Sequence, residues 1–275
     1  MNTKYYYIHN VCYWHGNDRP ENLWKHADKV KSIDLTDKEY DKNLLVISLM
    51  CDEDEMMLMK SVNQIMEVQD DILDVVVFPQ PNSGGTVKSM WNVYKHLLQK
   101  KSIVSEYFGT WEDDFVFAKP TYIDDIKHHF DEGCLFVGSM WHDEWFKASP
   151  EKFRKIGKKT FPLGRKPDRW VEYETPRNKE TCQTQLHHNY WWCEDPYVMK
   201  YENLEKIESL IGKFTLAPDE ERYRHGRHGI FFGEVGFPTR LHHAGGNFFG
   251  VDFDEAYEFL NATSDVAHKD YYGYC

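Results

Sequence analysis

Three acidic residues stand side by side near the middle of this chain, Glu112-Asp113-Asp114, with Tyr107-Phe108 before them and Phe115-Val116-Phe117 after. Adjacent carboxylates repel one another unless a cation or hydrogen-bond donors compensate them. The apolar brackets place the acids inside a fold rather than on a solvated face. In an extended segment, alternation sends Glu112 and Asp114 to one side and Asp113 to the other. Two hard oxygen donors on one side suit Mg²⁺ or Mn²⁺, an ion readily shared with the phosphates of a ligand. Further along, Trp191-Trp192-Cys193-Glu194-Asp195 and Asp219-Glu220-Glu221 supply carboxylates that could take a proton from a hydroxyl within hydrogen-bond reach. Trp141, Trp145, Trp191 and Trp192 supply flat faces of the kind that pack on a pyranose ring.

Such groups need a scaffold, and the first two-thirds of the chain alternates short β-rich runs with helical patterns, as an α/β protein does. Tyr5–Cys12 reads as a strand. Leu44–Met50 reads as a second, an apolar run of strand length bounded by charge. Asp52 with Glu55 three residues on resembles a capping box, and Leu58, Val62, Ile65 and Met66 continue it as a helix. Leu73–Phe78 is the next strand, ended by Pro79-Gln80-Pro81-Asn82-Ser83-Gly84-Gly85. Val87, Met90, Trp91, Tyr94, Leu97 and Leu98 then fall on one face of a helix. Val104–Gly109 leads as a strand into the acidic triplet, and Cys134–Gly138 is a further strand. Acids at strand ends lie where open α/β sheets bind ligands. Leu204, Ile207, Leu210 and Ile211 mark a later helix closed by Gly212.

Strand, glycine-rich turn, helix, strand and acidic triplet together resemble the nucleotide-sugar half of GT-A glycosyltransferases, over about residues 5–140. The resemblance implies a Rossmann-type α/β/α sandwich with a mixed central sheet. It also implies a single domain over 1–275, with a nucleotide-sugar and metal-binding half to about 140 and an acceptor-binding, catalytic half beyond. In that family a D-x-D-type motif holds a divalent cation on the donor diphosphate, and here Glu stands in its first position. By resemblance Asp114 is the metal ligand, and Glu112 faces the ribose or the metal. Asn82, Gly84, Gly85 and Lys88, with Glu112 and Asp113, then serve the UDP- or GDP-sugar donor. The Trp191–Asp195 segment is similar to the W-x-x-E-D motif of inverting members. That likeness makes Asp195 the base, with Glu220 and Glu221 as alternatives, and Trp191 and Trp192 the acceptor's platform. Pro196 follows at once, where the family usually begins a helix. Thr239-Arg240-Leu241-His242-His243 resembles the family's C-terminal metal histidine. Adjacent strand residues point oppositely, so one of the pair coordinates, His242 or alternatively His243. The implied activity is transfer of a hexosyl or pentosyl group to a glycan or glycoconjugate hydroxyl, with Mn²⁺ or Mg²⁺ as cofactor.

Composition sets bounds on this reading. The net charge is −12, with 33 Lys+Arg against 45 Asp+Glu, which disfavours a nucleic-acid partner. The charge is uneven. Lys147–Glu180 holds eleven basic and five acidic residues, +6 locally and −18 elsewhere, and its prolines suit a basic flap over an anionic ligand. No run approaches the roughly 20 apolar residues of a transmembrane segment, and no signal-peptide core follows Met1. Six cysteines in 275 residues do not form a disulfide scaffold, so the expectation is a cytoplasmic protein with reduced thiols. Cys182, His187, His188 and Cys193 lack the short C-x2-C loops of structural zinc sites. A lectin-like protein could use the same aromatics and acids without catalysis. A glycoside hydrolase would need two carboxylates flanking the scissile bond, and the ordered α/β start argues against it.

Overall fold

The computed structural model describes residues 4–14, 20–50, 69–80, 85–140, 194–211, 237, 241, 245–252 and 256–260. Its strands are β1 (Lys4–Trp14), β2 (Lys42–Met50), β3 (Leu73–Gln80), β4 (Val104–Glu112), β5 (Phe115–Phe117), β6 (Cys134–Met140), β7 (Glu194–Lys200), β8 (Asn247–Asp252) and β9 (Tyr257–Phe259). Seven of them form one sheet in the order β3-β2-β1-β4-β7-β6-β8, and β5 pairs with β9 apart from it. β7 alone runs antiparallel to its neighbours β4 and β6; every other pairing in the large sheet is parallel. The architecture is mixed α/β, with a mostly parallel, Rossmann-like central sheet flanked by helices.

The helices are α1 (Pro20–Lys31), α2, α3 (Tyr122–Asp131) and α4 (Asn203–Ile211). Helix α2 runs from Gly85–Asn92 through a π-helical stretch, Val93–Leu98, to a last turn at Gln99–Lys101. Strand alternation sorts the apolar residues onto two faces. Leu45, Ile47, Val75, Trp111, Val137 and Val198 face α1, α3 and the β5–β9 pair. Leu44, Val46, Phe108, Phe136, Tyr197 and Met199 face α2 and α4. Strands buried on both sides read as near-continuous apolar runs, which is why β2 is legible in the sequence.

Two helices are not anticipated by the sequence reading. Helix α1 begins with Pro20 and Glu21 and ends with Lys29 and Lys31, each suited to its end of the dipole. Its core stripe, Leu23, His26, Ala27 and Val30, includes a histidine, which weakens the apolar signal. Helix α3 presents Tyr122, Ile123, Ile126 and Phe130 inward. Strand β3 also outruns its expected end at Phe78 and continues through Pro79 to Gln80. It is an edge strand, so the missing N–H of Pro79 removes no ladder bond. The helix expected after Met50, and the Gly212 expected to close α4, lie outside the described residues.

One glycine in β4 is fixed by close approach. A Cβ at Gly109 would stand 2.1 Å from Tyr7 Oη and 2.9 Å from Trp111 Nε1. Gly109→Ala is expected to lower stability by about 1–3 kcal/mol, the range of overpacking in a tight core. The midpoint of urea denaturation measures it, and an unchanged midpoint would show that Tyr7 and Trp111 can part without loss.

Candidate functional site

The sheet's directions decide which residues meet. β1, β2, β3, β4, β6 and β8 all end at one edge, and the antiparallel β7 begins there. Cys12 lies opposite Glu112, Met50 opposite Gln80, Ser139 opposite Glu194, and Met140 opposite Asp252. The main-chain positions of Glu112–Asp114, Glu194–Asp195 and Asp252 therefore share one edge of the sheet, the edge at which parallel α/β sheets bind ligands. Pro196 follows within β7, where the β6–β7 register slips between Val137 and Ser139. A residue without an N–H is tolerated in a buried strand at such an irregularity. Where the resembling family usually begins a helix, this chain continues as a strand.

Glu112 is the last residue of β4, and the chain bends at Asp113-Asp114 before β5. Strict alternation consequently does not carry through to Asp114. Asp113 is buried, 7% exposed, while Glu112 and Asp114 are half-buried. The Asp114 carbonyl accepts a hydrogen bond from Leu260 N–H at 2.8 Å, which ties the bend to the end of β9. Lys25 of α1 in turn donates to the Leu260 carbonyl.

Beneath the triplet runs a line of buried polar groups. Trp111 Nε1 donates to Tyr7 Oη at 2.7 Å, and Tyr7 Oη lies 3.1 Å from His9 Nδ1. His9 Nε2 lies 2.8 Å from His26 Nδ1, and the His9 ring stacks on Trp111 with centroids 5.1 Å apart. All four side chains are fully buried. Among the described residues, His26 Nε2 is buried with no hydrogen-bond partner. On the same face of α1, one turn nearer the strand ends, Asn22 is fully buried with neither amide atom hydrogen-bonded. Burial, and secondarily repulsion from His26, holds His9 well below the usual imidazole range. Burial likewise lowers His26 to about 3 despite the Asp113 carbonyl. Both rings are neutral at pH 7.

A second polar network lies on the opposite face. Ser48 Oγ donates to Asn10 Oδ1 at 2.6 Å, and Asn10 Nδ2 donates to Thr110 Oγ1 at 3.0 Å. Gln80 Nε2 donates to Ser89 Oγ at 2.7 Å, and Asn92 Nδ2 donates to Gln80 Oε1 at 2.9 Å. Asn10 also reaches Ser89 at 3.4 Å, so the ends of β1 to β4 are tied to the first turns of α2. This fixes the start of α2 at Gly85 and the half-buried Lys88 in its first turn beside the strand ends.

Of the residues singled out in the sequence, Gly85, Lys88, Glu112, Asp113 and Asp114 are described, and Asp195 is placed by its main chain as the second residue of β7. Asn82, Gly84, Trp191, Trp192, Glu220, Glu221, His242 and His243 lie outside the described residues, as do Trp141, Trp145, the basic stretch Lys147–Glu180 and the Cys182–Cys193 spacing. Among the described residues, no three His, Cys, Asp or Glu side chains are grouped to hold a metal ion, and no helix is long and apolar enough to cross a membrane. His9, Asn10, His26, Ser48, Gln80 and Thr110 were not anticipated. Their one sequence signal is a polar residue interrupting an apolar run, as His9-Asn10 does in β1.

With this fold and edge in view, the likenesses to known structures are distant. The chain is similar to a mycobacterial protein over 94% of its own length and 68% of that chain, at 12% identity and a TM-score of 0.42. It is similar to mouse xyloside xylosyltransferase 1, in its apo form, over 91% of its own length and 85% of that chain, at 10% identity and a TM-score of 0.39. No protein-family model and no curated protein matches it. At these values no residue role passes from one chain to the other.

The neutral histidine pair makes stability depend on pH. In the unfolded chain an imidazole takes up a proton below about pH 6.5, whereas in the native core neither ring does until far lower. The unfolded state therefore binds more protons below about pH 6.5, and native stability, fully present above that, is lost as pH falls. One such group accounts for about 2 kcal/mol between about pH 7 and pH 5. His26→Gln removes one of the two, so its denaturation midpoint is expected to fall less steeply with acid than the wild type's. Parallel acid profiles in urea titrations would show that His26 takes up its proton in the native state.

Proposed function

We propose that this protein is a metal-dependent glycosyltransferase that moves a sugar from a nucleoside-diphosphate sugar to a hydroxyl of a glycan or glycoconjugate. The observation that carries the reading is the arrival of Glu112-Asp113-Asp114 at the ligand-binding edge of a mostly parallel sheet, beside the first turn of α2. Glu112 and Asp114 are half-buried oxygen donors two residues apart, a donor set whose chemistry fits a hard divalent cation and not a soft one. Both would hold Mn²⁺ or Mg²⁺, with His242, or alternatively His243, as a third ligand. A cation bound there supplies charge neutralisation for the departing diphosphate.

The chain's own groups do the rest. The main-chain N–H of Gly85 at the start of α2 and the Lys88 ammonium would meet the phosphates of a UDP- or GDP-sugar, and Asn82, Gly84 and Asp113 would complete the donor site. Asp195, at the head of β7 on the same edge, would accept the acceptor hydroxyl's proton, with Glu220 or Glu221 as alternatives. The acceptor oxygen then forms its bond to the anomeric carbon as the bond to the diphosphate breaks with its electron pair, inverting that carbon. Trp191 and Trp192 would hold the acceptor ring by stacking.

Asp114→Asn is expected to fold with an unchanged melting temperature. It should lose at least about tenfold, or 1.4 kcal/mol, in manganese-dependent affinity for UDP or GDP measured by calorimetry. Affinity equal to the wild type's, or undiminished transfer in excess chelator, would overturn the metal role.

A further inference from the structure

Gln80 ends β3 and Gly85 begins α2, so residues 81–84 join two elements whose spacing must be set from outside the join. The Gln80 side chain reaches across it. Its Nε2 donates to Ser89 Oγ at 2.7 Å, and its Oε1 accepts from Asn92 Nδ2 at 2.9 Å. Ser89 and Asn92 stand at i and i+3, on one face of α2. Both ends of one amide therefore hold the helix to the end of the strand. Gln80 is 6% exposed and Ser89 1%, so no solvent replaces a bond lost there. Glutamine is among the side chains that lose most rotamer freedom on burial, and here its base is already stiff. It stands between Pro79 and Pro81, and a residue that precedes proline is confined to extended backbone.

We propose that Gln80 is a positioning residue that clamps the start of α2, and with it the Gly85 N–H and Lys88, beside the strand end that carries Glu112. The clamp is referred to that strand through Ser89 and Asn10. Asn10 Nδ2 lies 3.4 Å from Ser89 Oγ and donates to Thr110 Oγ1 at 3.0 Å. Alternation puts Thr110 and Glu112 on the same face of β4. An apolar residue at the end of β3 would satisfy the core equally well, and a buried amide in its place breaks the local rule where a site is being built. For its effect on ligand the inference rests on the proposed role of Gly85 and Lys88 in meeting a diphosphate. For its effect on α2 it does not.

The test uses the whole protein, two single variants and their double. Gln80→Met keeps the length of the side chain and loses both bonds. Ser89→Ala loses one of them and gives α2 a better helix former. Amide hydrogen exchange at residues 89–92 is expected to rise about tenfold or more in Gln80→Met, the equivalent of one buried hydrogen bond lost. It should also rise in Ser89→Ala, against the helix propensity, and the double variant should exchange no faster than Gln80→Met. Manganese-dependent affinity is then measured for UDP against UMP, and for GDP against GMP. The preference for the diphosphate is expected to fall about tenfold in Gln80→Met, as for the loss of one hydrogen bond to a charged group. A mere loss of folded protein lowers both affinities alike and leaves that preference unchanged. Unchanged preference in Gln80→Met, or unchanged or slower exchange in Ser89→Ala, overturns the inference. Ser89→Ala decides it by both measurements if Gln80→Met does not fold. If the wild type binds neither UDP nor GDP with manganese, the glycosyltransferase reading fails, while exchange in the three variants still decides the clamp.

Discussion

The hydrogen bond from Trp111 to Tyr7 passes over the one residue of β4 that has no side chain, and the geometry of the acidic edge follows from it. Tyr7 Oη occupies the space that a Cβ on Gly109 would fill. From there it fixes the Trp111 ring on one side and the His9 ring on the other, at 2.7 and 3.1 Å. Trp111 immediately precedes Glu112, so the indole's position is the last rigid reference before the chain bends. Breaking one buried hydrogen bond of this kind costs about 1–3 kcal/mol when a partner is left unsatisfied, more than its net contribution when intact. The network is therefore held by the penalty for loosening it.

The sheet supplies the second constraint. Inserting an antiparallel β7 between β4 and β6 brings a segment distant in sequence, pairing Tyr107 with Lys200 and Thr110 with Tyr197, to lie directly against the strand that carries the triplet. Because β7 runs against its neighbours, its first residues rather than its last meet that edge. Glu194 and Asp195 arrive at the strand ends by this reversal alone. A parallel strand in the same slot would have delivered Lys200 and Tyr201 instead.

What could be read in advance follows from the range of the interactions involved. β2 and α2 show in the sequence because a fully buried strand and an amphipathic helix write their burial into local periodicity. The triplet shows because three adjacent acids between aromatics are a local anomaly. β7 does not, because its pairing with β4 is non-local and Pro196 falls inside it. Nor do the partners of the triplet. His9, His26 and Tyr7 are joined by contacts that cross from β1 to α1 and β4, and no spacing within a single segment records such a contact.

The same range argument explains why the supports are uncharged. A lysine or protonated imidazole set under Glu112-Asp113-Asp114 would bind the carboxylates itself and take over the compensation they require. His9 and His26 are kept neutral by burial, so the buried line beneath the triplet offers no positive charge to the acids. Lys25, the nearby cation on α1, is directed instead to the carbonyl of Leu260. The bend is fastened through its main chain by Leu260 N–H on the Asp114 carbonyl, and in the proposed reading a divalent cation with its diphosphate reaches the carboxylates from the sheet edge, where hard oxygen donors favour it.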